Sequence, residues 1–294
     1  LVGHSNQIAQ FYMHPFSLTS IKRGPKASEH LKTHYKTFDE IKSQGLDALI
    51  ISGANVSATD LQLAPFYDQL KEVVDWSYEN VTSTLCSCLA THAVLEFKYG
   101  QKRQPIGAKH WGVFPHKVIN RSHPLVKGVN TRFDIPHSRF NEISEEQFSD
   151  AGIRVLAKSK IGVHLAVSPD LFRLVFFQGH PEYDSISLLK EYKREVAIYL
   201  ENNGSEYPPI PSNYLSLQSQ AILEEYRAKL DSKEASIDNF PEDLIADKLD
   251  NTWHDSANAI INNWIGCVYQ VTNEDISKPF MDGVDLSNPL NLKK

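Results

Sequence analysis

Cys88 stands in "TSTLCSCLATHAVLEF", residues 82 to 97, where a β-branched run gives way to a helical pattern. A thiol at such a junction can serve as a nucleophile. An isolated thiol titrates near about 8.5 and is only a few per cent thiolate at neutral pH, so catalysis needs an electropositive setting. The first turn of a helix supplies one, because its amide N–H groups lack partners within the helix and can also hold an oxyanion. With the strand ending at Ser87, Cys88 falls on that turn. Free cysteines are also common core residues, and Cys86, two positions earlier on the same strand, fits the core role better.

A base for the thiol comes from "FFQGHPEYD", residues 176 to 184. This segment leaves a strand at Gly179 and presents His180, Pro181 and Glu182 before a helix begins. Proline keeps the residue before it out of helical geometry, so His180 is expected to be extended. Residues two apart in an extended segment share a side. His180 and Glu182 therefore face one cavity, with the carboxylate orienting the imidazole or stabilising its charged form. A loop histidine taken alone is more often a surface or core polar group. Both segments lie at the carboxyl ends of strands, where open α/β sheets place their sites, and together they point to a Cys–His–Glu triad.

The elements that must hold these groups alternate strand with helix through the first two thirds of the chain, the pattern of a mostly parallel sheet covered by helices. "LDALIISGAN" (46–55) reads as a buried strand stopping at Gly53. "PFYDQLKEVVDWSYEN" (65–80) has apolar residues at a helical period. "VTSTLCSC" is a second strand and "LATHAVLEFKYG" a helix stopped by Gly100, which completes a βαβ unit. "WGVF", "GIRVLAKS", "GVHLAV" and "LFRLVFF" read as short strands of a meander or sheet edge. A helix is expected over 184–204, capped by Asp184 or Ser185 and ended by Gly204. Beyond a proline-bearing link, 216–235 reads as an exposed helix or an oligomer contact, and 255–275 as a final helix packed on the body.

The 294 residues carry a net charge of −6, which argues against nucleic acid as the main partner. Three cysteines without a C-x-x-C spacing support neither a disulfide framework nor a zinc site, and with no H-E-x-x-H pair a metal is not needed. No run approaches the roughly 18 apolar residues that cross a bilayer, so no membrane partner is expected and a cytoplasmic location follows by default. Because position 1 is Leu, the amino terminus is expected to be trimmed.

"LIISGAN", "W-S-x-x-x-V-T-S-T-L-x-x-C", "G-V-F-x-H", "PHSRF", "GHPEYD" followed by "KREV", and "NNWIGCVYQVT" occur in the order seen in homoserine O-succinyltransferases and O-acetyltransferases. The resemblance covers most of 1–203 and again about 250–275. It implies an α/β three-layer sandwich with a mostly parallel central sheet, class I glutamine amidotransferase-like (flavodoxin-like). It implies a single acyltransferase domain over 1–294, in which residues 205–249 form an extra helical insertion. Cys88 becomes the acyl-thioester nucleophile, His180 the general base and Glu182 its orienting group. Lys109 in "GAKHWGVF" matches a substrate-binding lysine, Ser138 in "PHSRF" a serine tied to substrate choice, and Arg194 in "EYKREV" an arginine that binds the amino-acid substrate. Arginine suits a carboxylate through its paired donors.

The implied reaction is a ping-pong acyl transfer from acyl-CoA to the hydroxyl of homoserine, with amide groups near Gly53 and Leu89 holding the oxyanion. Acyl-CoA is a co-substrate, no cofactor is tightly bound, the partners are small molecules, and a homodimer is the expected assembly. At the position aligned with Ser57, the family has glutamate with acetyl donors and glycine with succinyl. A small serine adds no repelling carboxylate, which favours succinyl. The family's first strand and "NLMP"-like loop do not appear before Leu1, so a truncated start is expected; the chain departs from the family in "GAN" for "GAP", and in Leu89 and His92 for a tryptophan and a glutamine. The alternatives are a serine O-acetyltransferase with the same triad, a glutamine amidotransferase-like hydrolase, and a non-catalytic binding protein.

Overall fold

The computed structural model describes residues 2–5, 10–53, 56, 60–201, 206–232, 234, 236–280 and 282–293. In chain order its elements begin with α1 (Val2–Ser5), α2 (Pro25–His34), α3 (Phe38–Gln44), β1 (Ala48–Ile51), α4 (Tyr67–Asn80), β2 (Ser83–Ser87) and α5 (Leu89–Tyr99). The long strands β3 (Gln104–Val118) and β4 (Arg132–Glu142) follow, then α6 (Glu145–Asp150), β5 (Arg154–Ser159), β6 (Gly162–Val167) and β7 (Leu174–Phe177). The last helices are α7 (Ser187–Glu201), α8 (Leu217–Asp231), α9 (Glu242–Ala246) and α10 (His254–Val271).

The strands form one sheet in the order β1-β2-β7-β6-β5-β3-β4. Pairs β1–β2 and β2–β7 are parallel, whereas β7–β6, β6–β5, β5–β3 and β3–β4 are antiparallel. The expectation of a mostly parallel sheet is therefore corrected: the sheet is mixed. The crossover helix α4 makes the β1–β2 pair parallel, while a tight hairpin, turned at Lys160 and Ile161 with Gly162 following at φ 118°, makes β5 and β6 antiparallel.

Alternation along the central strands explains the layering. Leu85, Val175 and Phe177 point to one face, where α7, α8 and α10 supply Leu189, Leu223 and Trp264. Cys86, Leu174 and Phe176 point to the other, where α4 and α5 supply Leu70, Val74, Ala93 and Val94. Helices thus cover both faces, giving three layers, and β2 is buried along its whole length, as a strand covered on both sides must be.

Several expected boundaries shift. The "WGVF" strand is the middle of the 15-residue β3. Strand β4, which contains "PHSRF", is absent from the expectation because Pro136 interrupts the strand signal. It is tolerated because β4 is an edge strand. The helix expected from 184 starts at Ser187, whose N–H donates to the Asp184 carbonyl at 2.9 Å; Gly204 lies outside the described residues. Helix α8 is not simply exposed: Ser219, Leu223, Tyr226 and Leu230 are buried, and Ser216 caps its start. Among the described residues no helix is long and apolar enough to cross a membrane.

Candidate active site

Cys88 occupies the single residue between β2 and α5, with φ 52° and ψ −112°. This backbone conformation is unfavourable for any side chain with a Cβ and costs about 1–3 kcal/mol where the surroundings impose it. They do so here. The Cys88 N–H donates to the Phe177 carbonyl at 2.8 Å, extending the β2–β7 ladder one step beyond β2. The Thr91 hydroxyl reaches back to the Cys86 carbonyl at 2.8 Å, and the His92 N–H closes the first helical turn on the Cys88 carbonyl at 3.3 Å. The strand runs into the helix without a loop, so the thiol is lifted above the sheet at the amide-rich start of α5.

His180 follows β7, the strand next to β2. Its N–H donates to the Pro136 carbonyl at 2.8 Å and its Nδ1 donates to Glu182 Oε1 at 2.8 Å. The Ser87 hydroxyl also reaches Glu182 Oε1, at 3.4 Å. Burial alone would push the imidazole down. The hydrogen bond and charge of Cys88, and then those of Glu182, outweigh it and raise His180 from 6.5 to about 10. Pro181 and Glu182 form a turn, closed by the Tyr183 N–H donating to the His180 carbonyl at 3.2 Å, and this turn rather than the expected extended run brings the His180 and Glu182 side chains together. The same imidazole lies beside Cys88.

The other cluster gathers around α7. Lys109 lies over the Trp111 ring at 3.8 Å and 3.8 Å from Glu195 Oε1. Burial lowers its pKa, against the pull of Glu191 and Glu195. Ser138 faces Trp111 across the β3–β4 ladder, and both donate to Glu191 Oε2, at 2.7 and 3.0 Å. Arg194 is more exposed and lies 3.9 Å from Glu195. Lys109, Ser138 and Arg194 thus meet one helix face.

Tyr183 joins the two clusters. Its ring stacks on His180, and its hydroxyl donates to Glu191 Oε1. Burial and Glu191 raise this phenol, which keeps it a donor. Sequence reasoning missed Tyr183, Trp111 and Glu191. The available signal was spacing: Glu191, Arg194 and Glu195 stand at i, i+3 and i+4 on α7 and share a face.

Gly53, at the end of β1, packs against the elbow. A Cβ there would sit 3.1 Å from the Cys88 Cβ and 3.2 Å from the Leu89 nitrogen. The absence of a side chain leaves the space in front of the thiol open. A cavity of about 220 Å³ adjoins Gly53, Leu89 and Ala90, with Leu18, Ile51 and Phe66 in its wall. Ser57 lies outside the described residues.

The model of the family described as homoserine O-succinyltransferase matches residues 1–274. A homoserine O-succinyltransferase of Nitrosococcus oceani is 59% identical over 298 residues, covering 100% of this chain and 83% of that protein. One of Thioalkalivibrio nitratireducens is 60% identical over 295 residues, covering 99% of this chain and 83% of that protein. Among solved structures, a glutamine amidotransferase from Methylobacillus flagellatus has a TM-score of 0.45 at 16% identity, covering 86% of this chain and 92% of that one. A glutamine amidotransferase from Thermotoga maritima has a TM-score of 0.43 at 10% identity, covering 82% and 90%.

Proposed function

The chain belongs to the homoserine O-succinyltransferase family, and we propose that it transfers a succinyl group from succinyl-CoA to the hydroxyl of homoserine through a thioester on Cys88. It is a homoserine O-acyltransferase, an enzyme of methionine biosynthesis. Acyl-CoA is made and used in the cytoplasm, which is the setting proposed for the reaction. The observation that most supports the mechanism is the buried imidazole whose Nδ1 donates to the Glu182 carboxylate at 2.8 Å and whose pKa is raised by the neighbouring Cys88.

In the first step the Cys88 sulfur attacks the thioester carbonyl of acyl-CoA. The developing oxyanion is held by the free amides at the start of α5, near Leu89, and by the backbone at Gly53. The tetrahedral adduct collapses, the C–S bond to CoA breaks, and the imidazolium of His180 gives its proton to the departing thiolate. In the second step His180, now neutral, takes the proton of the homoserine hydroxyl as its oxygen attacks the acyl-enzyme. Collapse breaks the bond to Cys88 and restores the sulfur–imidazolium pair. Glu182 holds the Nδ1–H in both steps, which leaves Nε2 to carry the moving proton.

Homoserine is a zwitterion. Arg194 suits its carboxylate, and the carboxylates of α7 suit its ammonium group. Lys109 and Ser138 are proposed to complete that pocket. Succinyl is favoured as donor because the relatives of 52–60% identity bear the name homoserine O-succinyltransferase.

Incubation with succinyl-CoA and with acetyl-CoA, each followed by intact mass spectrometry, tests the proposal. A succinyl adduct on Cys88 that homoserine discharges is expected. A stable acetyl adduct with no succinyl adduct would reassign the donor, and discharge by serine in preference to homoserine would reassign the acceptor.

A further inference from the structure

Three imidazoles besides His180 are buried behind the site: His116 on β3, His137 on β4 and His164 on β6. The His116 and His137 rings stack 5.1 Å apart, and His164 stands edge-on to both. Burial pushes His116 down to about 4 and holds His137 and His164 well below 6.5. All three are neutral at physiological pH.

Hydrogen bonds fix the tautomers of His116 and His137, whereas neither ring nitrogen of His164 has a hydrogen-bond partner among the described residues. His116 Nδ1 lies 2.8 Å from the Phe114 carbonyl, which can only accept, so that nitrogen carries the proton and Nε2 is bare. His137 Nε2, 3.3 Å away, must then donate to it. His137 Nδ1 is left to accept from Arg139 Nε at 3.3 Å. The chain runs one way, from guanidinium to His137 to His116 to backbone, and leaves no acceptor for an added proton. The charged or titratable groups facing His137 are Arg139 on its own strand, His116, His164 and His180.

This locked ring abuts the turn that carries the catalytic imidazole. A Cβ built on Gly179 would fall 2.8 Å from His137 Nε2 and 2.9 Å from its Cε1, and closer still to Ile135 Cγ2. The neighbours of Gly179 are held by hydrogen bonds. Phe177 accepts from Cys88, the Gln178 side chain bridges Ile143 and Val163, and His180 donates to Pro136. Gly179 is held by shape, with the edge of His137 as part of its wall.

We infer that His137 is a positioning residue for His180, acting through the backbone of Gly179. The inference rests on the cysteine mechanism above and extends it to a residue that touches no substrate. A shift of about 1 Å in a reacting group can cost on the order of 10²-fold in rate, so a wall that sets the turn has leverage on catalysis.

Two substitutions separate placement from mere burial. His137→Asn keeps an acceptor for Arg139 and removes the edge against Gly179, whereas His137→Gln still reaches as far as Nε2. The readouts are kcat with each substrate saturating and the pH profile of Cys88 alkylation by iodoacetamide. H137N is expected to lower kcat by about 10²-fold and to move the profile towards that of an isolated thiol, near about 8.5. H137Q is expected to recover most of the loss. His123→Asn, a buried histidine bonded to the Leu171 carbonyl at the opposite end of β7, should lower the melting temperature and leave the profile in place. Parental kcat and profile in H137N overturn the inference. Should H137N not fold, Gly179→Ala presses on the same contact from the other side, and a parental profile there overturns it equally. A wild-type profile already matching an isolated thiol would sink the cysteine mechanism itself; a perturbed wild-type profile retained in H137N sinks only the role of His137.

Discussion

The imidazole of His180 lies on the ring of Tyr183, centroids 4.4 Å apart and planes 20° from parallel. The Tyr183 hydroxyl ends on Glu191, the same carboxylate that accepts from Ser138 and Trp111. The imidazole proposed to move the proton and the proposed acceptor pocket are thereby parts of one packed unit. A change at either end should register at the other.

Glu182→Gln removes the charge on Nδ1 and keeps the shape. His180 should then titrate lower, because one of the two groups that raise it is lost. With a charge-assisted hydrogen bond worth about 1.5–3 kcal/mol, kcat should fall on the order of 10- to 100-fold. Steady-state kinetics with succinyl-CoA checks this, and an unchanged kcat would remove Glu182 from the mechanism.

Alkylation should single out one thiol. Burial pushes Cys86 up to about 12 and Cys267 up to about 11, so both are protonated and unreactive at pH 7. Sub-stoichiometric iodoacetamide followed by peptide mapping should place the label on Cys88, and prior incubation with succinyl-CoA should protect it. Label spread over all three positions would contradict the electropositive elbow.

Glu191→Gln leaves Ser138, Trp111 and Tyr183 donating to a neutral amide whose NH2 faces one of them. Lost hydrogen bonds to a charged acceptor of about 1.5–3 kcal/mol predict a drop in kcat/KM for homoserine on the order of 10- to 100-fold. The Tyr183 stack predicts that kcat falls as well as KM rising. A pure KM effect in a homoserine titration would show that Glu191 acts on binding alone.

Stability should decline on mild acidification. Burial depresses His92 to about 3 and His116 to about 4, and lowers His123, His137 and His164 as well. Their folded values lie below the unfolded one, so the unfolded chain binds more protons. The associated stability is complete above about pH 6.5 and is lost as pH falls towards the folded values. Each such group steepens the decline by up to about 1.4 kcal/mol per pH unit. Urea titrations between pH 7 and 5 measure it, and His116→Asn should flatten the slope.

The sequence by itself determined the parts of the site that are local. The β-branched run ending at Ser87 and the helical pattern after it place Cys88 at a strand-to-helix junction, because each element forms from its own periodicity. Pro181 marks a turn that starts at His180, and that local turn carries Glu182 back onto the ring. Only the tertiary structure decided what lies across the sheet. Ser138 and Trp111 meet Glu191 over 53 and 80 residues of chain, and His137 meets Gly179 because β4 folds back along β3. No local pattern encodes those distances. They follow from strand order, and β4 itself was illegible because Pro136 hides an edge strand whose missing N–H needs no partner, although β3, β5, β6 and β7 read as a meander.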